Sequence, residues 1–183
     1  KYRCLKGMYV LLFNVLIIFS MQAQSSFYNL SFNRIDGTPI HLSAFKGKKI
    51  LLVNTASKCG FTPQLEDLQE MHRKYANQLV IIGFPSNEFA AQDPGSNTEI
   101  EGFCKKNYGV DFILSEKINV KKNDLQHPVY RWLTQKTLNQ FKNSRVLWNF
   151  QKYLISENGE LVKIIRPWRS PKCKFILQWL DSK

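Results

Sequence analysis

One stretch of this chain holds a thiol in a place where a thiol can react. In "NTASKCGFTPQ", residues 54–64, Cys59 stands at the joint between two elements. The apolar run Ile50-Leu51-Leu52-Val53 leads in and reads as a buried strand over Lys49–Thr55. A helical pattern leads out, with Thr62 as its N-cap and Pro63 at its first position. A cysteine just ahead of a helix meets the free N–H groups of the first turn, and Lys58 adds a positive charge. Both favour the thiolate, which attacks disulfides, peroxide oxygens and carbonyls. A dithiol reductase carries a second cysteine three positions further on, where this chain has Thr62. A thiol without that neighbour releases a mixed disulfide poorly. It can attack a peroxide, become a sulfenic acid and wait for a thiol from elsewhere.

The chain has four cysteines, and Cys4 lies in a distinct leading segment. Cys59, Cys104 and Cys173 remain, an odd number that does not suit a disulfide scaffold. There is no CxxC, and His41, His72 and His127 are far from any cysteine in sequence, so neither a metal site nor a cofactor is expected. Cys104 is a candidate second thiol. It reads equally well as a small core residue, because it shares a helix face with Ile100 and Phe103. Cys173 lies on an apolar helix face and reads as core.

The elements that must position these thiols follow from periodicity and turn chemistry. Residues 27–33 alternate as a strand, Asp36-Gly37 signals a hairpin, and residues 39–42 run back. After the Cys59 joint, a helix carries Leu65, Leu68, Met71, His72 and Tyr75 at helical spacing, and a second buried strand covers 79–84. A turn-rich loop leads to a helix over 98–107 and another over 127–141. "LWNFQKYLIS" and "ELVKIIR" then alternate about Glu157-Asn158-Gly159 as a hairpin, and Ser170-Pro171 opens a last helix bearing Cys173, Ile176, Leu177 and Leu180. A strand–helix–strand half followed by a hairpin and a helix predicts an α/β fold of the thioredoxin plan, with a mixed central sheet flanked by helices and an N-terminal β-hairpin. In that plan the reactive cysteine follows the first core strand, as Cys59 does.

At 183 residues, 44% hydrophobic and 22% charged, the chain suits one globular domain over residues 24–183. Residues 1–23 differ. Lys1, Arg3 and Lys6 precede the apolar "MYVLLFNVLIIF", and Met21 and Ala23 fit a signal-peptidase site. This predicts a signal peptide and an exported, periplasmic or secreted protein; the alternatives are an uncleaved membrane anchor, or a cytoplasmic protein if the leader does not function. The net charge of +12 is densest toward the C-terminal half. It reads as a solvated basic surface, with no nucleic-acid motif to make it more.

Three blocks together resemble a known family. "NTASKCGFTPQ", "GFPSNEFAAQDPG" and "LWNF" look like the glutathione peroxidase family in its cysteine-containing form, in the family's order and spacing, over about residues 27–180. The resemblance implies a catalytic tetrad of Cys59, Gln92, Trp148 and Asn149. Its three neutral donors would stabilise a thiolate and the departing oxyanion. Without the resemblance, Trp148 reads as core packing and Gln92 as a surface loop residue. "GFCKKNYGVDF" resembles the segment holding the resolving cysteine of thioredoxin-dependent members, which implies a Cys59–Cys104 disulfide reduced by a thioredoxin-like protein and a helix that partly unwinds to form it. The chain departs from the family pattern at Ser86, where a cysteine is frequent, and at Ala90-Ala91, where glycines are common and alanines would stiffen the Gln92 loop. It lacks the insertion that tetrameric members carry after Val120, which implies a monomer that accepts lipid hydroperoxides as well as hydrogen peroxide. A basic surface also suits an anionic membrane as a partner. Three rivals stay open: glutathione acting directly on oxidised Cys59, a peroxide sensor passing its disulfide to a partner protein, and a basic binding module without turnover.

Overall fold

The structure, a computed structural model, describes residues 26–182. The leader or anchor expected over residues 1–23 lies outside them. Strands β1 (Ser31–Asn33) and β2 (Pro39–His41) form the expected antiparallel hairpin. Asp36 Oδ1 accepts the Thr38 N–H at 2.9 Å, and Gly37 takes φ +86° in the turn between them. The strand does not begin at Phe27. Phe27–Asn29 is a single 3₁₀ turn capped by Ser26, which swings the buried Phe27 ring against Trp132, 5.1 Å between centroids. Alternation alone cannot separate such a turn from a strand.

The remaining elements are β3 (Lys49–Thr55), α1 (Gln64–Lys74), β4 (Leu79–Pro85), α2 (Asn97–Tyr108), β5 (Ile113–Leu114), α3 (Pro128–Thr134), α4 (Lys136–Asn139), β6 (Lys152–Ile155), β7 (Leu161–Ile165) and α5 (Lys174–Asp181). Five strands form one sheet in the order β5-β4-β3-β6-β7. β3 is parallel to β4 and antiparallel to β6, so the sheet is mixed, as the sequence predicts for a thioredoxin-like fold. The continuous apolar run of β3 has a simple cause: both faces are covered. Leu51 and Val53 meet Leu65, Leu68, Ile100, Ile176 and Leu180 from α1, α2 and α5. Ile50 and Leu52 face Phe27, Phe32 and the α3 residues Val129, Tyr130 and Leu133.

Three expectations are corrected. The helix predicted over 127–141 is broken into α3 and α4 at Gln135, which is extended (φ −112°, ψ 119°). Asn139 compensates, its Nδ2 donating to the Trp132 carbonyl at 2.9 Å and its Oδ1 accepting the Phe141 N–H at 2.8 Å. The last helix starts at Lys174, because Ser170–Cys173 forms a turn closed by Cys173 N–H to Ser170 O at 3.0 Å. β6 begins at Lys152; residues 148–150 turn instead, and Phe150 takes φ 68°. The short strand β5 was not anticipated.

Candidate active site

Sheet topology gathers three chain segments at one end of the central strands. β4 ends beside the end of β3, with Thr55 opposite Pro85, and β6 enters antiparallel, with Lys152 opposite Val53. Cys59 follows β3, Gln92 follows β4, and Trp148 and Asn149 precede β6. The sequence neighbours of three strand ends therefore converge on one loop cluster.

Cys59 is 8% exposed and sits on a tight turn rather than directly at a helix start. Thr62, expected as N-cap of α1, has another use. Its hydroxyl accepts the Cys59 N–H at 3.0 Å and donates to the Ala56 carbonyl at 2.8 Å. The chain passes through successive i→i+3 bonds, Thr62 N–H to Cys59 O at 2.9 Å and Gln64 N–H to Phe61 O at 3.0 Å, before α1 begins at Gln64. The N–H aimed at the sulfur comes from this turn: Phe61 N lies 3.4 Å from Cys59 Sγ. Ser57 N–H donates to Asp93 Oδ1 at 3.0 Å, and Lys58 N–H to Gln92 O at 2.8 Å, which ties the Cys59 turn to the Gln92 loop. Below the turn, the buried Lys152 ammonium donates to Gln64 Oε1 and to the carbonyls of Pro167 at 3.1 Å and Arg169 at 2.6 Å, fixing the start of α1.

Gln92 and Asn149 are in direct contact, with Asn149 Nδ2 donating to Gln92 Oε1 at 3.0 Å. Asn149 is fully buried, and its Oδ1 has no protein partner. Trp148 is 37% exposed, its ring tilted over Phe89 at 5.4 Å, so it is a surface-facing ring and not core packing. Gln92 is half-buried. The two alanines before it adopt φ 52° and 50°, the left-handed region in which a glycine costs nothing and an alanine costs about 1 kcal/mol.

The sequence reading missed the residue that places Trp148. Asn54, fully buried in β3, donates from Nδ2 to the Trp148 carbonyl at 3.1 Å and accepts the Gln151 N–H on Oδ1 at 3.1 Å, while its own carbonyl accepts the Phe150 N–H at 2.6 Å. The signal was available: an asparagine inside an otherwise apolar buried strand must find polar partners.

Cys104 is 3% exposed in α2 and belongs to the same core layer as Cys59. Both are free thiols. Burial, and after it the Asp93 carboxylate, push the Cys104 thiol up to about 12. α2 opens with a capping box between Ser96 and Glu99 and ends at Gly109 in the left-handed conformation. A cavity of about 400 Å³ lies between the Cys59 turn and α2, with Ser57 and Lys58 on one side and Gly95, Ile100 and Phe103 on the other. Cys173 is the N-cap of α5, packed against the same layer. Among the described residues, no cluster of three or more His, Cys, Asp or Glu is gathered to hold a metal.

Comparison with known proteins identifies the family and the fold. The glutathione peroxidase family model matches residues 27–134, a span holding Cys59, Gln92 and Cys104. The chain is 42% identical over 148 residues to the glutathione peroxidase of Lactococcus lactis subsp. cremoris, covering 80% of this chain and 93% of that one. It is 45% identical over 140 residues to the glutathione peroxidase-like peroxiredoxin gpx1 of Schizosaccharomyces pombe, covering 76% and 87%. The crystal structure of Trgpx in apo form superposes with a TM-score of 0.66 at 31% identity, covering 86% of this chain and 96% of that one. With its thiol turn, amide pair and exposed tryptophan at one end of a thioredoxin-like sheet, this chain belongs to the glutathione peroxidase family.

Proposed function

We propose that this protein is a thiol peroxidase that reduces hydrogen peroxide and organic or lipid hydroperoxides through Cys59. The observation that carries the reading is the Cys59 turn, pinned by Thr62 and tied to the half-buried Gln92–Asn149 amide pair. The Cys59 thiolate attacks the outer peroxide oxygen and the O–O bond breaks. An alcohol or water leaves with a proton, and Cys59 becomes a sulfenic acid. Gln92, Trp148 and Asn149 offer N–H donors to the negative charge that moves from sulfur to oxygen. Cys104 then condenses with the sulfenic acid, and a thioredoxin-like dithiol protein reduces the resulting disulfide. The alternative reductant is glutathione acting on Cys59 itself, favoured by one observation: Cys104 is buried in an intact helix.

The test is intact mass and peptide mapping after one equivalent of hydrogen peroxide without added thiol. Loss of two hydrogens at a Cys59–Cys104 link supports the two-cysteine cycle. Oxygen retained on Cys59 with Cys104 free supports the glutathione reading. An unmodified Cys59 sinks the peroxidase function.

The reading extends to place. A basic aromatic segment supports an anionic membrane partner: Arg166 lies over exposed Trp168 at 5.4 Å and Lys163 over exposed Phe175 at 4.1 Å. Residues 1–23 act as an export leader, and the mature enzyme works as a monomer outside the cytosol. N-terminal sequencing of the mature protein and its sedimentation with anionic vesicles test these points.

A further inference from the structure

Asp93 is a buried carboxyl that the peroxide step does not use. It is 0% exposed and follows Gln92 directly. Its Oδ1 accepts the Ser57 N–H at 3.0 Å, whereas Oδ2 is buried with no partner. Its own N–H donates to Asn87 Oδ1 at 2.9 Å, which fixes the backbone. A carboxylate oxygen left without a donor in a protein interior is costly, and such a group needs an explanation. Burial raises its pKa, opposed by the hydrogen bonds from Ser57 and the Lys117 cation.

Its position supplies the explanation. On one side, Ser57 leads into the Cys59 turn. On the other, Pro94 and Gly95 run into α2, and Gly95 packs so closely that a Cβ there would lie 3.3 Å from Glu99 Cβ and 3.5 Å from Ile100 Cγ1. Ile100 is one turn before Cys104 on the buried face of α2. The carboxylate thus stands between the two sulfur-bearing elements, and its charge adds to burial in raising the Cys104 thiol.

We propose that Asp93 is the proton acceptor of the resolving step, its unpaired Oδ2 taking the thiol proton of Cys104 as that sulfur attacks the sulfenic acid of Cys59. The inference rests on the two-cysteine reading. The Cys104 S–H bond breaks and its proton passes to the carboxylate. The sulfur's electron pair forms the S–S bond while the Cys59 S–O bond breaks. The departing hydroxide takes the proton from the Asp93 carboxylic acid and leaves as water. Cys104 is oxidised and the Cys59 sulfur reduced, with no outside redox agent. Such a base has a purpose: burial holds the proton on the Cys104 thiol, and the proton must leave before the sulfur can attack. Until a sulfenic acid forms, the same carboxylate keeps Cys104 protonated and out of competition for peroxide.

The test measures sulfenic acid formation and disulfide formation separately, by quenched-flow mass analysis of the full chain, in wild type and Asp93→Asn across about pH 5 to 9. The charged and titratable groups around Asp93 are Lys117, Lys58, Glu99 and Cys104. Asn keeps an acceptor for Ser57 but cannot take a proton. We expect D93N to slow disulfide formation about 100-fold more than sulfenic acid formation. The wild-type resolving rate should climb as the carboxyl ionises and then level, whereas that of D93N should climb about tenfold per pH unit throughout. If D93N fails to fold, Lys117→Met reads the same group: loss of the cation raises the carboxyl pKa, and the wild-type inflection moves to higher pH. Equal slowing of both steps, or an inflection that ignores Lys117, overturns the inference. A wild type that forms sulfenic acid but never a Cys59–Cys104 disulfide overturns the two-cysteine reading and this inference with it.

Discussion

Cys59 and Cys104 belong to one core layer yet are held in opposite ways. Cys59 sits on a turn in which the N–H groups of Ser57, Lys58 and Cys59 are all bound by side chains or carbonyls from outside its own strand. Cys104 sits on the buried face of α2 with Ile100 and is held by packing against the core layer. The first arrangement holds a sulfur-bearing turn by hydrogen bonds; the second holds a thiol by burial in a capped helix. On the proposed two-cysteine cycle, the first serves the peroxide step through fixed geometry and the second serves the resolving step through local opening of α2.

The contrast can be broken at several points. The largest effect belongs to the donor pair. Asn149→Ala leaves Gln92 Oε1 without its N–H partner and removes one of the proposed donors, so the rate of Cys59 oxidation by peroxide should fall about 100-fold, read by stopped-flow tryptophan fluorescence. Next is the lock on the turn. Thr62→Val strands the Cys59 N–H and the Ala56 carbonyl in a buried site, and chemical denaturation should show a loss of about 2 kcal/mol, with slower oxidation of Cys59 and little change at Cys104. A smaller change should act on the stored thiol alone. Ser96→Ala removes the α2 cap at a cost of about 1 kcal/mol, so the helix opens more readily and disulfide formation after oxidation should speed up several-fold. The smallest is a gain. Ala91→Gly relieves the left-handed backbone before Gln92 and should raise stability by about 0.5 kcal/mol in a thermal melt, without altering the resolving rate.

What the sequence revealed divides along physical lines. β3 and β4 were legible as unbroken apolar runs and α2 by its helical spacing, each bounded by turn chemistry. The convergence of Cys59, Gln92, Trp148 and Asn149 was legible as a motif pattern, and the sheet order accounts for it. What escaped depends on partners far along the chain. Thr62 has the right chemistry for an N-cap, yet the Cys59 N–H and Ala56 carbonyl claim its hydroxyl first. The break at Gln135 follows from Asn139 satisfying the carbonyl of Trp132, a bond no local propensity encodes. Lys152 sits at an inward position of an alternating strand, where a charged residue argues against burial; its acceptors lie on α1 and on the turn after β7. Asp93 was hidden because nothing local tells a buried carboxyl from one in solvent.

The order of the sheet also governs when the enzyme becomes an enzyme. Leu51 pairs first with Ile81 across a local β-α-β unit and only later with Leu154, about one hundred residues downstream. A chain emerging from the ribosome can therefore assemble β3, α1 and β4, thiol included, while Trp148 and Asn149 have yet to be made. Docking of β6 beside β3 delivers both residues, and β7 then adds as the outer strand. On the proposed mechanism, reactivity at Cys59 is thus coupled to completion of folding: a nascent or truncated chain carries the sulfur without the donors assigned to its reaction with peroxide.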